Sequence, residues 1–144
     1  MNKALTVARA LVGRSLEDVR RALGPGESES DGDDYEALED LTSVQNRGRF
    51  PGTVYLRNGE VELVYVGPGA LEGVTPADLE EELKGRPARL RSRAGKKASL
   101  FVHAGQGIAY SAHGDELHFV EVFKPRSLEE YEAAIYKDPG PFIR

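Results

Sequence analysis

Three histidines, His103, His113 and His118, fall within sixteen residues, with Tyr110, Asp115 and Glu121 close by. Imidazoles gathered on neighbouring strands can ligate zinc or act as general acid and base. His113 reads as a turn residue, and the other two can face either side of their strands. Spacing therefore leaves a metal or catalytic centre as the rival to a plain hydrogen-bonded or exposed role in a sheet. Asp31, Asp33 and Asp34 bring three carboxylates together, as a hard cation requires. Gly32 comes too early for an EF-hand loop and no bidentate glutamate closes it, so this run reads as a flexible acidic loop.

Other chemistry has less support. The chain has no cysteine, which removes thiolate nucleophiles, disulfides and cysteine-held metals. Neither a Gly-x-Ser-x-Gly elbow nor a Walker phosphate loop occurs, and Gly48, Gly52, Gly105 and Gly107 read as turn or strand-edge glycines. No cofactor and no catalysis are expected.

Charge is gathered in blocks. Glu27 to Asp40 holds eight acids and no base, while Lys84 to Lys97 holds seven bases and no acid. Three readings stay open: solvated faces or mobile loops, mutual pairing within the chain or between subunits, or a docking surface for an unlike partner. On a strand, Arg89, Arg91 and Arg93 share one face and present a row of cations to carboxylates or phosphates. Nucleic acid is disfavoured, because residues 84 to 97 contain no aromatic side chain for bases to stack on and the net charge is -5.

These residues are positioned by elements that recur. The segment LVGRSLEDVRRAL at 11–23 returns as LEGVTPADLEEEL at 71–83, with Leu11/Leu71, Gly13/Gly73, Ser15/Thr75, Asp18/Asp78, Val19/Leu79 and Leu23/Leu83 matched at an offset of sixty. Ser15 and Thr75 are N-cap types with an aspartate three residues on, and each helix carries an i, i+4 apolar stripe ended by Gly24 or Gly85. Gly52-Thr-Val-Tyr55 then matches Gly107-Ile-Ala-Tyr110, and residues 60–66 match 116–122. Both pairs read as hairpins, turning at Asn58-Gly59 and around Gly114. Further strands are expected near 38–44, 88–93 and 99–103. A last helix opens at the Ser127/Glu130 capping box, runs to about Lys137, and is stopped by Pro139.

A helix opened by Gly-x-Ser/Thr-x-x-Asp, closed by Leu-Gly, followed by antiparallel strands and then repeated, resembles the tandem fold of β-lactamase inhibitory proteins. It is also similar to the single-unit BamE (SmpA) outer-membrane assembly lipoproteins. The resemblance covers about residues 11–66 and 71–123. It implies a sheet that grips a partner protein and a bacterial source. The chain departs from both families in lacking their cysteines and a secretion signal, so lactamase inhibition and secretion do not carry over. In size, acidity and element order the chain is also similar to type III secretion chaperones, which implies a binding protein again.

A composition of 40% hydrophobic and 30% charged residues is that of a globular protein. The N-terminal apolar residues are interrupted by Arg9 and Arg14, so a cytoplasmic location is expected. The expected fold is α+β: two similar helix-plus-antiparallel-sheet units at 1–68 and 69–126, then a C-terminal helix and tail at 127–144, forming one compact domain. The expected function is non-catalytic protein binding through an exposed strand face bearing Tyr55, Tyr65 and Tyr110. The arginine row at Arg89, Arg91 and Arg93 and the acidic loop at Asp31, Asp33 and Asp34 flank that face. The partner is another protein or a second copy of the chain.

Overall fold

Four short polar side chains start the four α-helices of the described residues. In the computed structural model, which describes residues 2–25 and 27–141, the Asn2 side chain accepts from the Ala4 and Leu5 amides and opens α1, Lys3–Leu11. Ser15 accepts from the Asp18 amide and opens α2, Leu16–Leu23. Thr75 and Asp78 form a reciprocal capping box at α3, Pro76–Glu82, as Ser127 and Glu130 do at α4, Leu128–Ala134. The sequence reading missed α1. Its signal was there: Asn2 is an N-cap type, and Ala4, Leu5, Ala8 and Leu11 form the buried stripe. The last helix ends at Ala134, short of the expected Lys137, and residues 142–144 of the tail lie outside the described residues.

Eight strands make one sheet: β1 Ser28–Tyr35, β2 Leu38–Asn46, β3 Phe50–Arg57, β4 Glu60–Val66, β5 Ala88–Arg91, β6 Ser99–His103, β7 Ile108–His113 and β8 Glu116–Phe123. Their order is β1-β2-β3-β4-β8-β7-β6-β5, with every neighbour antiparallel. Each half of the chain is thus a four-strand meander, and the two join along β4 and β8. Asn58 and Gly59 both take positive φ (52° and 77°), as the tight turn between β3 and β4 requires. The expected α+β class and antiparallel sheet are present, as are the two hairpins and the strands near 38–44 and 99–103.

Both faces of the sheet are packed. The helix face carries Val54, Val64, Ile108, Val120 and Val122 beneath Leu5, Val19, Leu23 and Leu79 of the first three helices. The opposite face carries Leu41, Leu63, Leu100, Phe119 and Phe123 beneath Tyr131 and Ile135 at α4. The hairpin between β1 and β2 is tied to that helix by the Ala37 amide, which donates to the Ile135 carbonyl at 3.0 Å. Among the described residues there is therefore no broad exposed strand face of the kind the sequence suggested, and Leu128 is the one large hydrophobic residue exposed there.

The acidic run is the largest departure from expectation. Asp31, Asp33 and Asp34 lie in edge strand β1, where a flexible loop was expected. Strand β2 supplies the pairing, and side chains support it: the Thr42 hydroxyl donates to Asp31 at 2.8 Å, the Ser43 hydroxyl to Asp33, and the Asp40 amide to Asp34 at 3.0 Å. Pairing is interrupted between Ser30 and Asp33 and again between Asp33 and Tyr35. Bulges and a row of like charges on an edge strand discourage pairing with another edge of the same charge.

Candidate functional site

Strand alternation decides where the expected contact tyrosines go. Tyr65 of β4 pairs with Glu121 of β8, whereas Tyr110 of β7 pairs with Val120. That one-residue step places Tyr110 on the helix face, where it is 2% exposed. The assignment of Tyr110 to an exposed surface is corrected accordingly. Tyr55 and Tyr65 share the opposite face but are only half-exposed. Tyr35 from β1 curls over them, with its ring centroid 5.1 Å from that of Tyr55 and 6.1 Å from that of Tyr65.

The arginine row is also corrected. Arg89 and Arg91 do lie on β5: Arg89 pairs with Phe101 and sets its guanidinium 5.8 Å from that ring on the helix face, whereas the Arg91 side chain is held by Asp138 and the Gly140 carbonyl, beyond α4. Arg93 stands beyond the end of β5 and turns to the other side. Its guanidinium carbon lies 4.2 Å from the Phe119 ring centroid and 5.1 Å from that of Tyr35. It donates to the Tyr35 oxygen at 2.8 Å and lies 2.8 Å from a Glu36 oxygen, which joins the basic block to the acidic one.

Arg93 belongs to a buried polar network that sequence reasoning did not find. Glu121 is 1% exposed and accepts 2.5 Å hydrogen bonds from the Tyr35 and Tyr131 hydroxyls, one on each carboxylate oxygen, with Arg93 3.6 Å away. Burial pushes the Glu121 carboxyl above the usual range, opposed by the two tyrosines and the arginine. Burial and the neighbouring carboxylate likewise raise the Tyr131 phenol. The free space beside these groups is about 10 Å³, about enough for one water molecule and too little for a substrate. The network closes the opposite face by joining β1, β8, α4 and the β5–β6 hairpin.

The histidines do not converge. His103 is buried on the helix face, where its Nε2 lies 2.8 Å from Glu80 of α3, and the Tyr110 hydroxyl donates to the same Glu80 oxygen. Burial, followed by Glu80, raises the Tyr110 phenol. His118 is half-buried at 3.3 Å from Ser111, whose side chain meets Ser92 on the opposite face, and His113 is exposed at the end of β7. No group of three potential ligands able to hold a metal occurs among the described residues. A histidine oriented by a carboxylate resembles part of a catalytic relay. The hydrogen-bond partners of His103 are Glu80 and Gln106, so the hydroxyl that a serine relay would activate is not among them.

What remains on the surface is charge, sorted by edge. The acidic block forms and flanks β1 at one end of the sheet, and the basic block forms and flanks β5 at the other. Beside β5 lie two open clefts, one of about 520 Å³ lined by Arg89, Leu90, Lys96 and Glu132, and one of about 410 Å³ lined by Lys84, Arg86, Ala88 and His103. Arg91 is engaged, holding Asp138 at 3.0 Å. Lys84, Arg86, Arg89, Lys96 and Lys97 form no ion pair among the described residues. No helix among the described residues is long and apolar enough to cross a membrane. Comparison with family models, with curated proteins and with solved structures gives no match.

Proposed function

We propose that the chain is a non-catalytic protein-binding module of the bacterial cytoplasm, and that its contact surface is the basic edge β5 rather than a tyrosine-bearing sheet face. The observation that carries this reading is a group of cations on and beside an edge strand, of which Lys84, Arg86, Arg89, Lys96 and Lys97 form no ion pair among the described residues, with a cleft at each end. An edge strand offers backbone hydrogen bonds to an extended segment, alternate side chains enter flanking depressions, and cations favour a carboxylate-rich partner. The scarcity of exposed large hydrophobic residues argues against an apolar anchor as the main source of affinity.

The same reading takes the chain as two related units. Gly13 and Gly73 share positive φ (83° and 80°), Ser15 and Thr75 cap equivalent helices, and the four apolar partners at Val19/Leu79 and Leu23/Leu83 are all buried. The mirrored strand order supports the same relation.

Fluorescence anisotropy with a labelled ten-residue peptide of alternating glutamate and threonine tests the binding surface. Binding is expected to weaken about tenfold in Arg86→Glu/Arg89→Glu and on raising salt from about 50 to about 500 mM. Equal binding by the variant and the unmodified chain removes β5 as the contact.

A further inference from the structure

We infer that the acidic segment received by β5 is edge strand β1 of a second copy of this chain, so that copies add head to tail into one continued sheet. The inference rests on the reading of β5 as a docking edge and names its occupant.

Direction is the first argument. With eight strands and every pairing antiparallel, β1 and β5 run in opposite directions. A second copy displaced along the sheet, with its helix face on the same side, brings its β1 antiparallel to the first copy's β5. No flip of the sheet is needed.

Charge is the second. Glu29 pairs with Val44 and is held by Arg20 of α2 at 2.6 Å, which places it on the helix face, and Asp31 reaches Thr42 on that side as well. Arg89 projects to the same face, over Phe101, while Arg91 is held by Asp138. Asp31 of one copy therefore faces Arg89 of the next on a single side of the joint, with Glu29 of the first already paired to its own Arg20. Two acidic edges repel each other, as do two basic ones, so only unlike edges approach.

Strength follows from geometry. The bulges limit the regular part of β1 to Ser28–Ser30, and β5 has only four residues. A joint with so few backbone bonds depends on its ion pairs, so the association is weak and salt-sensitive. Head-to-tail contacts of this kind extend a chain of copies or close it into a ring.

The test measures mass by light scattering after size exclusion, using the full chain across a range of concentrations. At about 50 mM salt the mass is expected to rise above 15.7 kDa with concentration, and at about 500 mM to return to it. Two charge-reversed variants, Asp31→Lys/Asp34→Lys and Arg86→Glu/Arg89→Glu, alter exposed side chains that form no ion pair among the described residues. Asp31 and Asp34 accept hydrogen bonds within β1–β2 and Arg89 donates to Ser99, so far-ultraviolet circular dichroism first checks that each variant keeps its sheet. Each alone is expected to stay at the mass of one copy, and an equimolar mixture to assemble again, because the two variants carry complementary edges. A mass of one copy for the unmodified chain at low salt and high concentration overturns the inference, as does assembly of either variant alone. If the acidic peptide binds while copies stay separate, β5 serves a foreign segment and only this inference falls. If neither peptide nor copy binds, the reading of β5 falls with it.

Discussion

Glu121→Ala is expected to lower folding stability by about 3 to 5 kcal/mol, measured by urea denaturation at neutral pH. The substitution leaves two buried phenol hydroxyls without their acceptor and opens a void where the side chain stood. Arg93 keeps Glu36 but loses its second counter-charge. Tyr131→Phe removes one of the two hydrogen bonds and is expected to cost less, about 1.5 to 3 kcal/mol. A Glu121→Ala protein within about 1 kcal/mol of the unmodified chain, against that range, shows that the network contributes little.

The same carboxyl carries a sign that can be tested. Its folded pKa stands above the unfolded value, so the folded chain binds the proton more tightly. The stability that this proton contributes is fully present below the unfolded carboxyl value of about 4.3 and is lost as pH rises through the raised folded value. Glu121→Gln cannot titrate. The stability of the unmodified chain minus that of Glu121→Gln is therefore expected to fall as pH rises from about 4. A difference that grows with pH shows instead that the tyrosines and Arg93 outweigh burial and hold the carboxylate ionised.

Gly107→Ala carries the second large effect, about 3 kcal/mol of destabilisation. Gly107 sits at φ 69°, and an added Cβ overlaps the Phe123 carbonyl oxygen, part of a backbone that cannot swing aside. The Phe123 amide donates back to Gly107 at 2.8 Å, so relief by displacement breaks that hydrogen bond. Gly114 is the control. It has a similar φ of 60° with open space around its Cβ, so Gly114→Ala reports conformational strain alone, about 1 to 2 kcal/mol. Equal losses in the two variants, by thermal or urea unfolding, show that the close approach at Gly107, just before β7, is without consequence. Gly52 makes the corresponding approach to the Tyr65 carbonyl in the first half of the chain, at the residue the sequence comparison matches to Gly107.

Most of the secondary structure was legible because its causes are local. The caps at Ser15, Thr75 and Ser127 satisfy helix amides within three residues, and the Asn58-Gly59 turn imposes its own backbone angles. The candidate site was legible only in part. Opposite charge blocks were evident in the chain, and Arg89 was rightly placed on a strand. Arg93 was not, because β5 stops at Arg91 and the attraction of Tyr35, Glu36 and Phe119 comes from segments far away in sequence.

From its residues alone this chain specified helices, hairpins, an α+β class and the separation of acid from base, since each depends on neighbours a few positions apart. Tertiary structure decided the rest. Alternation says that Tyr55 and Leu63 share a side, but only the packing of helices on the sheet says which side is covered, and that buried Tyr110. Pairing with β2 made a strand of an acidic run with little strand propensity of its own. Glu121 reads in sequence like any polar residue of a half-exposed strand. It became a buried carboxylate because Tyr35, Arg93 and Tyr131, spread over nearly a hundred residues of chain, meet only when the sheet has curled and α4 has docked. Interactions between distant segments leave no periodic trace in a sequence, which is why only the fold revealed them.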